Sequence, residues 1–151
     1  MRASREGEIL LRGPTIAVGR IADDGWLHTG DLGEEDDEGH LWITGRLSDR
    51  IISGGVNVDP AEVEAVLLSH PGVQEATVVG IPDKKWGERV AAAVVCGSSP
   101  TPEIGDLEGM TQEALSPAKR PRAIRFVDEL PRNPNGKVDR NGVRKLFQKP
   151  L

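Results

Sequence analysis

The stretch "DPAEVEAVLLSHPG", Asp59 to Gly72, decides how the fold is read. Asp59 suits an N-cap, because its side-chain oxygen accepts from a first-turn N–H, and Pro60 suits the first helical position, where no N–H is needed. Glu62 stands at the spacing of a capping box. Val63, Val66 and Leu67 then share one helix face, and His70-Pro71-Gly72 stops the helix. Two runs follow, "EATVVGI" (Glu75 to Ile81) and "RVAAAVV" (Arg89 to Val95), which read as strands bracketing the loop "PDKKWGE".

Working outward, "PEIGDLEGMTQEALS" supplies a second helix with Ile104, Leu107, Met110 and Leu115 on one face. It is a weak helix, since Gly105 and Gly109 each cost about 1 kcal/mol relative to Ala. "AIRFVDEL" (Ala123 to Leu130) is a further strand, and "DRNGVRKLFQ" a short final helix capped by Asp139. Towards the N-terminus, "EILLR" (Glu8 to Arg12) and "GHLWITGR" (Gly39 to Arg46) are strands, and the acidic run Glu34 to Glu38 is a solvated hairpin tip. The pattern is α+β: a small sheet flanked by helices, preceded by a short β segment.

Composition narrows the function classes. The 151 residues carry 37% hydrophobic and 28% charged side chains, enough for one globular domain, or one domain plus a piece of another. With 3% aromatics and a net charge of −5, base stacking and phosphate neutralisation are poor expectations, so no nucleic-acid partner is expected. Cys96 is the single cysteine, in the apolar run "VAAAVVC", and reads as buried packing in a reducing compartment. No run approaches the roughly eighteen apolar residues of a membrane span, and "MRASREGEILLRG" has no signal-peptide core. A cytoplasmic protein is expected.

Four blocks carry chemistry: "GWLHTGDLG" (Gly25 to Gly33), "GRLSDRIISGGVNVDPAEVE" (Gly45 to Glu64), "VVGIPDKKWGE" (Val78 to Glu88) and "PRNPNGKVDR" (Pro131 to Arg140). Lys137 does not belong to a P-loop: the residue five before Gly136 is Pro131, and Val138 follows the lysine where Ser or Thr is needed. In their order and spacing, from about Gly7 to Leu146, the four blocks resemble the C-terminal part of adenylate-forming enzymes, the superfamily of acyl-CoA synthetases, peptide-synthetase adenylation domains and firefly luciferase.

That resemblance implies a function. The family joins a carboxylic acid to AMP at the expense of ATP, with Mg2+ expected alongside, and its CoA ligases then pass the acyl group to the thiol of CoA. Lys137 matches the catalytic lysine that meets the carboxylate and α-phosphate oxygens. Asp31 matches the carboxylate that takes the ribose hydroxyls, and Arg46 a second nucleotide contact. Ser48 stands at the hinge, where the family usually has Asp or Lys, and Asp49 follows as expected. Gly54 and Gly55 match the turn along which the pantetheine arm of CoA passes. Trp86 matches a position that packs the nucleotide end of CoA, whose phosphates Lys84, Lys85, Lys119 and Arg120 are placed to meet.

The version "SGGVNVDPAEVE" resembles the CoA ligases rather than peptide-synthetase domains. The family's phosphate loop, adenine loop and acyl pocket have no counterpart in these residues, and only "TIAVGRIAD" joins "RGP" to "DGW". Residues 1–46 are therefore expected to be the remnant of a large N-terminal domain ending at the hinge, and 47–151 its C-terminal lid. The expected partner is that large domain, in the same chain or another. The alternatives are a free-standing, non-catalytic module that binds CoA or a nucleotide, and a truncated gene product. A fatty or aryl acid is the expected substrate.

Overall fold

The computed structural model describes residues 2–3, 7–17, 19–97 and 101–148. Its contacts divide the chain into two units, Met1–Asp49 and Arg50–Leu151. In the first, β1 (Arg2–Ala3), β2 (Glu8–Leu11), β3 (Leu27–Glu35) and β4 (Leu41–Arg46) form an antiparallel sheet in that order. Ile9, Leu10 and Leu32 are its buried residues of hydrophobic type. A single 3₁₀ turn, Leu47–Asp49, ends the unit.

β3 holds the "TGD" block, which sequence reading treats as a site and not as a strand. Ladders on both sides, with β2 and with β4, override the poor strand propensity of Gly30 and Asp31. The acidic tip is also more ordered than expected. Asp36 accepts the N–H groups of Glu38 and His40 and the Trp42 indole N–H at 2.8 Å, and the Trp42 bond leads the causes that hold its carboxyl below the usual range.

The second unit opens with a hairpin, β5 (Ile51–Ser53) and β6 (Val56–Val58), closed by the two-residue turn Gly54-Gly55. Helix α1 (Pro60–Leu68) follows, capped by Asp59, whose carboxylate accepts the Ala61 N–H. Val63 and Leu67 are buried and Val66 packs against them, as the helix face predicts. The capping box is not used: the Glu62 carboxylate binds the Lys119 ammonium instead, at 2.7 and 2.8 Å.

Strands β7 (Val73–Asp83) and β8 (Gly87–Cys96) pair antiparallel along almost their whole length. On its other side β8 meets β5 at Gly87 and then runs parallel to β9 (Ala123–Phe126). Both faces of the β7–β8 pair are buried, so its apolar residues run nearly unbroken. Val78, Val90, Ala92 and Val94 face α1 and α2 (Ile104–Ala114), while Val79, Ile81, Ala91, Ala93 and Val95 face Leu130 and α3 (Arg140–Leu146).

Two sequence expectations need correction here. In α2 the buried side chains are Leu107 and Thr111, with Leu115 just beyond; Ile104 is exposed and Met110 half-buried. The helix tolerates Gly105 and Gly109 because its core anchors lie elsewhere and neither glycine approaches a neighbour. Cys96 is half-buried, not buried, because β8 ends there.

Candidate functional site

Within the first unit, Asp31 and Arg46 are directly opposed in the β3–β4 register and form an ion pair, with Arg46 Nε 2.7 Å from Asp31 Oδ1. Asp31 is mostly covered and Arg46 mostly exposed, so the carboxylate is held in place and retains acceptor capacity beside a cation. The block is further fixed from β2: Glu8 accepts the Gly30 N–H at 2.9 Å, and the Thr29 hydroxyl donates to Ile9 O at 2.7 Å while accepting the Asp31 N–H.

Glu8 also meets His28 Nδ1 at 2.9 Å, and Asp24 meets His28 Nε2 at 3.1 Å. The hydrogen bonds to Glu8 and then to Asp24 raise the His28 pKa. For Glu8, burial pushes the carboxyl up, but the bonds from His28 and Gly30 together outweigh it and the net direction is downward. Sequence reading gives this cluster no role. Its only signal is a histidine immediately before "TGD".

Ser48 and Asp49 lie in the 3₁₀ turn that ends the first unit, with Ser48 exposed and Asp49 half-buried. The division between the units falls directly after Asp49, a little later than residues 46 and 47.

In the second unit, Gly54 and Trp86 are in contact. Gly54 has φ +59°, and a Cβ built on it would fall 2.6 and 2.8 Å from carbons of the Trp86 ring. The Gly54 N–H also donates to Trp86 O at 2.9 Å. Glycine is needed here both for its backbone region and for close approach. The turn bearing Trp86 is organised by Asp83, whose carboxylate accepts the Lys85 and Trp86 N–H groups; those bonds, Lys85 first, hold its pKa below the usual range.

The Arg122 guanidinium lies over the Trp86 ring at 4.3 Å from its centroid, with the Lys85 ammonium at 5.4 Å. Sequence reading misses Arg122. It is the third cation of "AKRPR", and nothing in the spacing singles it out. The two chosen from that run are engaged elsewhere: Lys119 pairs with Glu62, and Arg120 donates to Leu115 O and Gln112 O, satisfying carbonyls at the end of α2. Lys84 is exposed.

Lys137 closes a tight turn. Asn133 N–H donates to Lys137 O at 2.8 Å, and the Asn133 side-chain oxygen accepts the N–H groups of Asn135 and Lys137, both at 3.0 Å. Gly136, at φ +79°, donates to Asn133 O. The backbone is thus tied from several directions while the Lys137 side chain is exposed and, among the described residues, has neither ion pair nor hydrogen bond. Among the same residues no group of three or more His, Cys, Asp or Glu side chains is placed to hold a metal ion.

A family model for the AMP-binding enzyme C-terminal domain matches residues 62–137, half of the chain. The chain belongs to this family. The match begins within α1 and runs to Lys137. Among curated relatives, a 3-[(3aS,4S,7aS)-7a-methyl-1,5-dioxo-octahydro-1H-inden-4-yl]propanoyl:CoA ligase of Rhodococcus jostii (strain RHA1) is 46% identical over 95% of the chain and 30% of its own length. A 2-succinylbenzoate–CoA ligase of Bacillus cytotoxicus is 45% identical over 98% of the chain and 32% of its own length. Among solved structures, the amide bond synthetase McbA of Marinactinospora thermotolerans is 39% identical, with a TM-score of 0.84 over 93% of the chain and 31% of that protein. The chain thus spans about a third of the length of these relatives. No helix among the described residues is long and apolar enough to cross a membrane.

Proposed function

We propose that this chain acts as the C-terminal lid part of an ATP-dependent acyl- or aryl-CoA ligase, productive when joined to or associated with a large adenylating domain. In that reaction a carboxylate oxygen attacks the α-phosphorus of ATP, expelling pyrophosphate. The CoA thiol then attacks the acyl carbonyl and AMP departs. The observation that carries the reading is the Lys137 turn, a tied backbone presenting an ammonium with no partner among the described residues. Such a group can neutralise charge as the acid and the α-phosphate are brought together.

The other residues take supporting roles in the proposal. Asp31 and Arg46 bind the ribose as a pair. Ser48 and Asp49 form the hinge between residues 1–46 and the lid of 47–151, and serine changes how readily that hinge settles into one pose. Gly54 and Gly55 border the path of the pantetheine arm. Trp86 with Arg122 receives the nucleotide end of CoA; Lys119 and Arg120 keep the neighbouring helices in place. Fatty and aryl acids are the proposed substrates, in the cytoplasm.

The deciding experiment is ATP–pyrophosphate exchange and thioester formation with a panel of fatty and aryl acids, using the chain alone and the chain supplied with a large domain of the family. Lys137→Ala should lower exchange about a hundredfold or more. Full exchange by that variant overturns the assignment. CoA binding without exchange in any mixture favours the non-catalytic module instead.

A further inference from the structure

The Lys137 turn and α3 are fastened to the outer edge of β7 by a row of arginines. Arg132 pairs with Glu75 and also donates to Gly136 O at 3.0 Å, inside the turn. Arg140 Nη1 donates to Glu64 Oε1 at 2.9 Å and to Val78 O at 2.6 Å, while the same Glu64 oxygen accepts the Val78 N–H at 2.9 Å. Further along, Arg144 Nε donates to Gly80 O at 3.3 Å. Lys137 lies between the first two fastenings, with a bridge between Arg132 and Val138 closing the base of its turn.

An arginine is suited to this work because its planar fork can bind a carboxylate and a carbonyl from one position. The Glu64–Arg140 contact is the better sheltered of the two glutamate pairs, with side-chain exposures of 17% and 27%. A lysine stem is flexible, so the place of its backbone decides the volume its ammonium sweeps. Misplacing a reacting group by about 1 Å can cost about a hundredfold in rate.

We propose that Glu64 and Glu75 are positioning residues for Lys137, acting through Arg140 and Arg132 to fix its turn on the edge of β7. This rests on the reading of Lys137 as the adenylating lysine. The two glutamates touch no substrate; they set where the ammonium starts from.

The test uses Glu64→Gln, Glu75→Gln and the double variant in the full chain. Nitrogen-15 relaxation should show the order parameters of Asn135, Gly136 and Lys137 falling from about 0.85 to below about 0.6 in the double variant. Those of Val90 to Val94 in β8 should stay unchanged. In a mixture where Lys137→Ala stops adenylation, the double variant should slow pyrophosphate exchange about tenfold or more and leave thioester formation from preformed acyl-adenylate unchanged. Arg140→Lys, which keeps the charge and loses the fork, should give the same split in milder form, and it replaces the double variant should that fail to fold. Unchanged order parameters overturn the proposal, as does a loosened turn with full exchange. Should Lys137→Ala itself adenylate normally, or no mixture adenylate at all, the reading of Lys137 fails and this proposal with it, whatever the relaxation data show.

Discussion

Arg46 Nε meets Asp31 Oδ1 at 2.7 Å across the β3–β4 ladder, so two residues that sequence reading assigns separately to a nucleotide are one ion pair. With Arg46 60% exposed, such a pair contributes at most about 1 kcal/mol to stability. Arg46→Ala should therefore leave denaturant unfolding nearly unchanged. In an adenylating mixture it should raise the ATP requirement about tenfold, equivalent to about 1.4 kcal/mol of binding. A large stability loss with an unchanged ATP dependence would mean that the pair is only a brace.

Gly54→Ala and Gly55→Ala separate backbone strain from crowding. Both positions have positive φ, so each substitution should cost roughly 1–3 kcal/mol. Only at Gly54 does the new methyl meet Trp86, whereas at Gly55 it enters open space. Tryptophan fluorescence should shift in Gly54→Ala and stay as in the parent in Gly55→Ala. Equal spectra would refute the contact.

Cation choice beside Trp86 gives a binding prediction. Arg122→Ala and Trp86→Ala should each weaken capture of the nucleotide fragment of CoA, measured by titration calorimetry, by about twofold to fivefold, the range expected of a cation–π contact whose cation is exposed. Lys119→Ala should change it less than twofold, since that ammonium is committed to Glu62. The reverse order would restore Lys119 to the site and remove Arg122.

The His28 cluster sets a pH dependence for the first unit. His28 has a pKa raised above 6.5, so its contribution to stability is complete below 6.5 and is lost as the pH rises through the folded-state value. Glu8 is lowered below 4.5, so its contribution is present above 4.5 and is lost as the pH falls through its folded-state value. Thermal melting followed from below pH 4.5 to about pH 8 should decline on the alkaline side, and His28→Asn should flatten that limb. An unchanged limb would place its origin elsewhere.

Local chemistry made much of the fold legible. Asp59, Pro60 and the Val63–Leu67 face needed no information from elsewhere, and Asp139 likewise caps α3 through the Asn141 N–H. Gly54-Gly55 announced a turn, but β5 and β6 on either side of it were not among the expected strands. Nor was β3, because it exists through its two neighbours rather than through its residues. At the candidate site, "NPNGK" announced a turn and the lysine on it. The fastenings of that turn were hidden, since Arg132 and Arg140 find their acidic partners 57 and 76 residues away. The partner of Lys119 is hidden for the same reason, since Glu62 lies 57 residues away in sequence.

The arginine row on β7 has a further consequence, for self-association. β7 is an eleven-residue strand at the end of its sheet, the kind of edge on which a second chain can add itself. At Val78 the outward N–H is taken by Glu64 and the outward carbonyl by Arg140, and at Gly80 the carbonyl by Arg144. An incoming strand would find these hydrogen-bonding positions occupied and cations standing over them. Glu64 and Arg140, proposed above as fastenings of the Lys137 turn, thus also fill backbone positions on the open edge of the longest strand among the described residues.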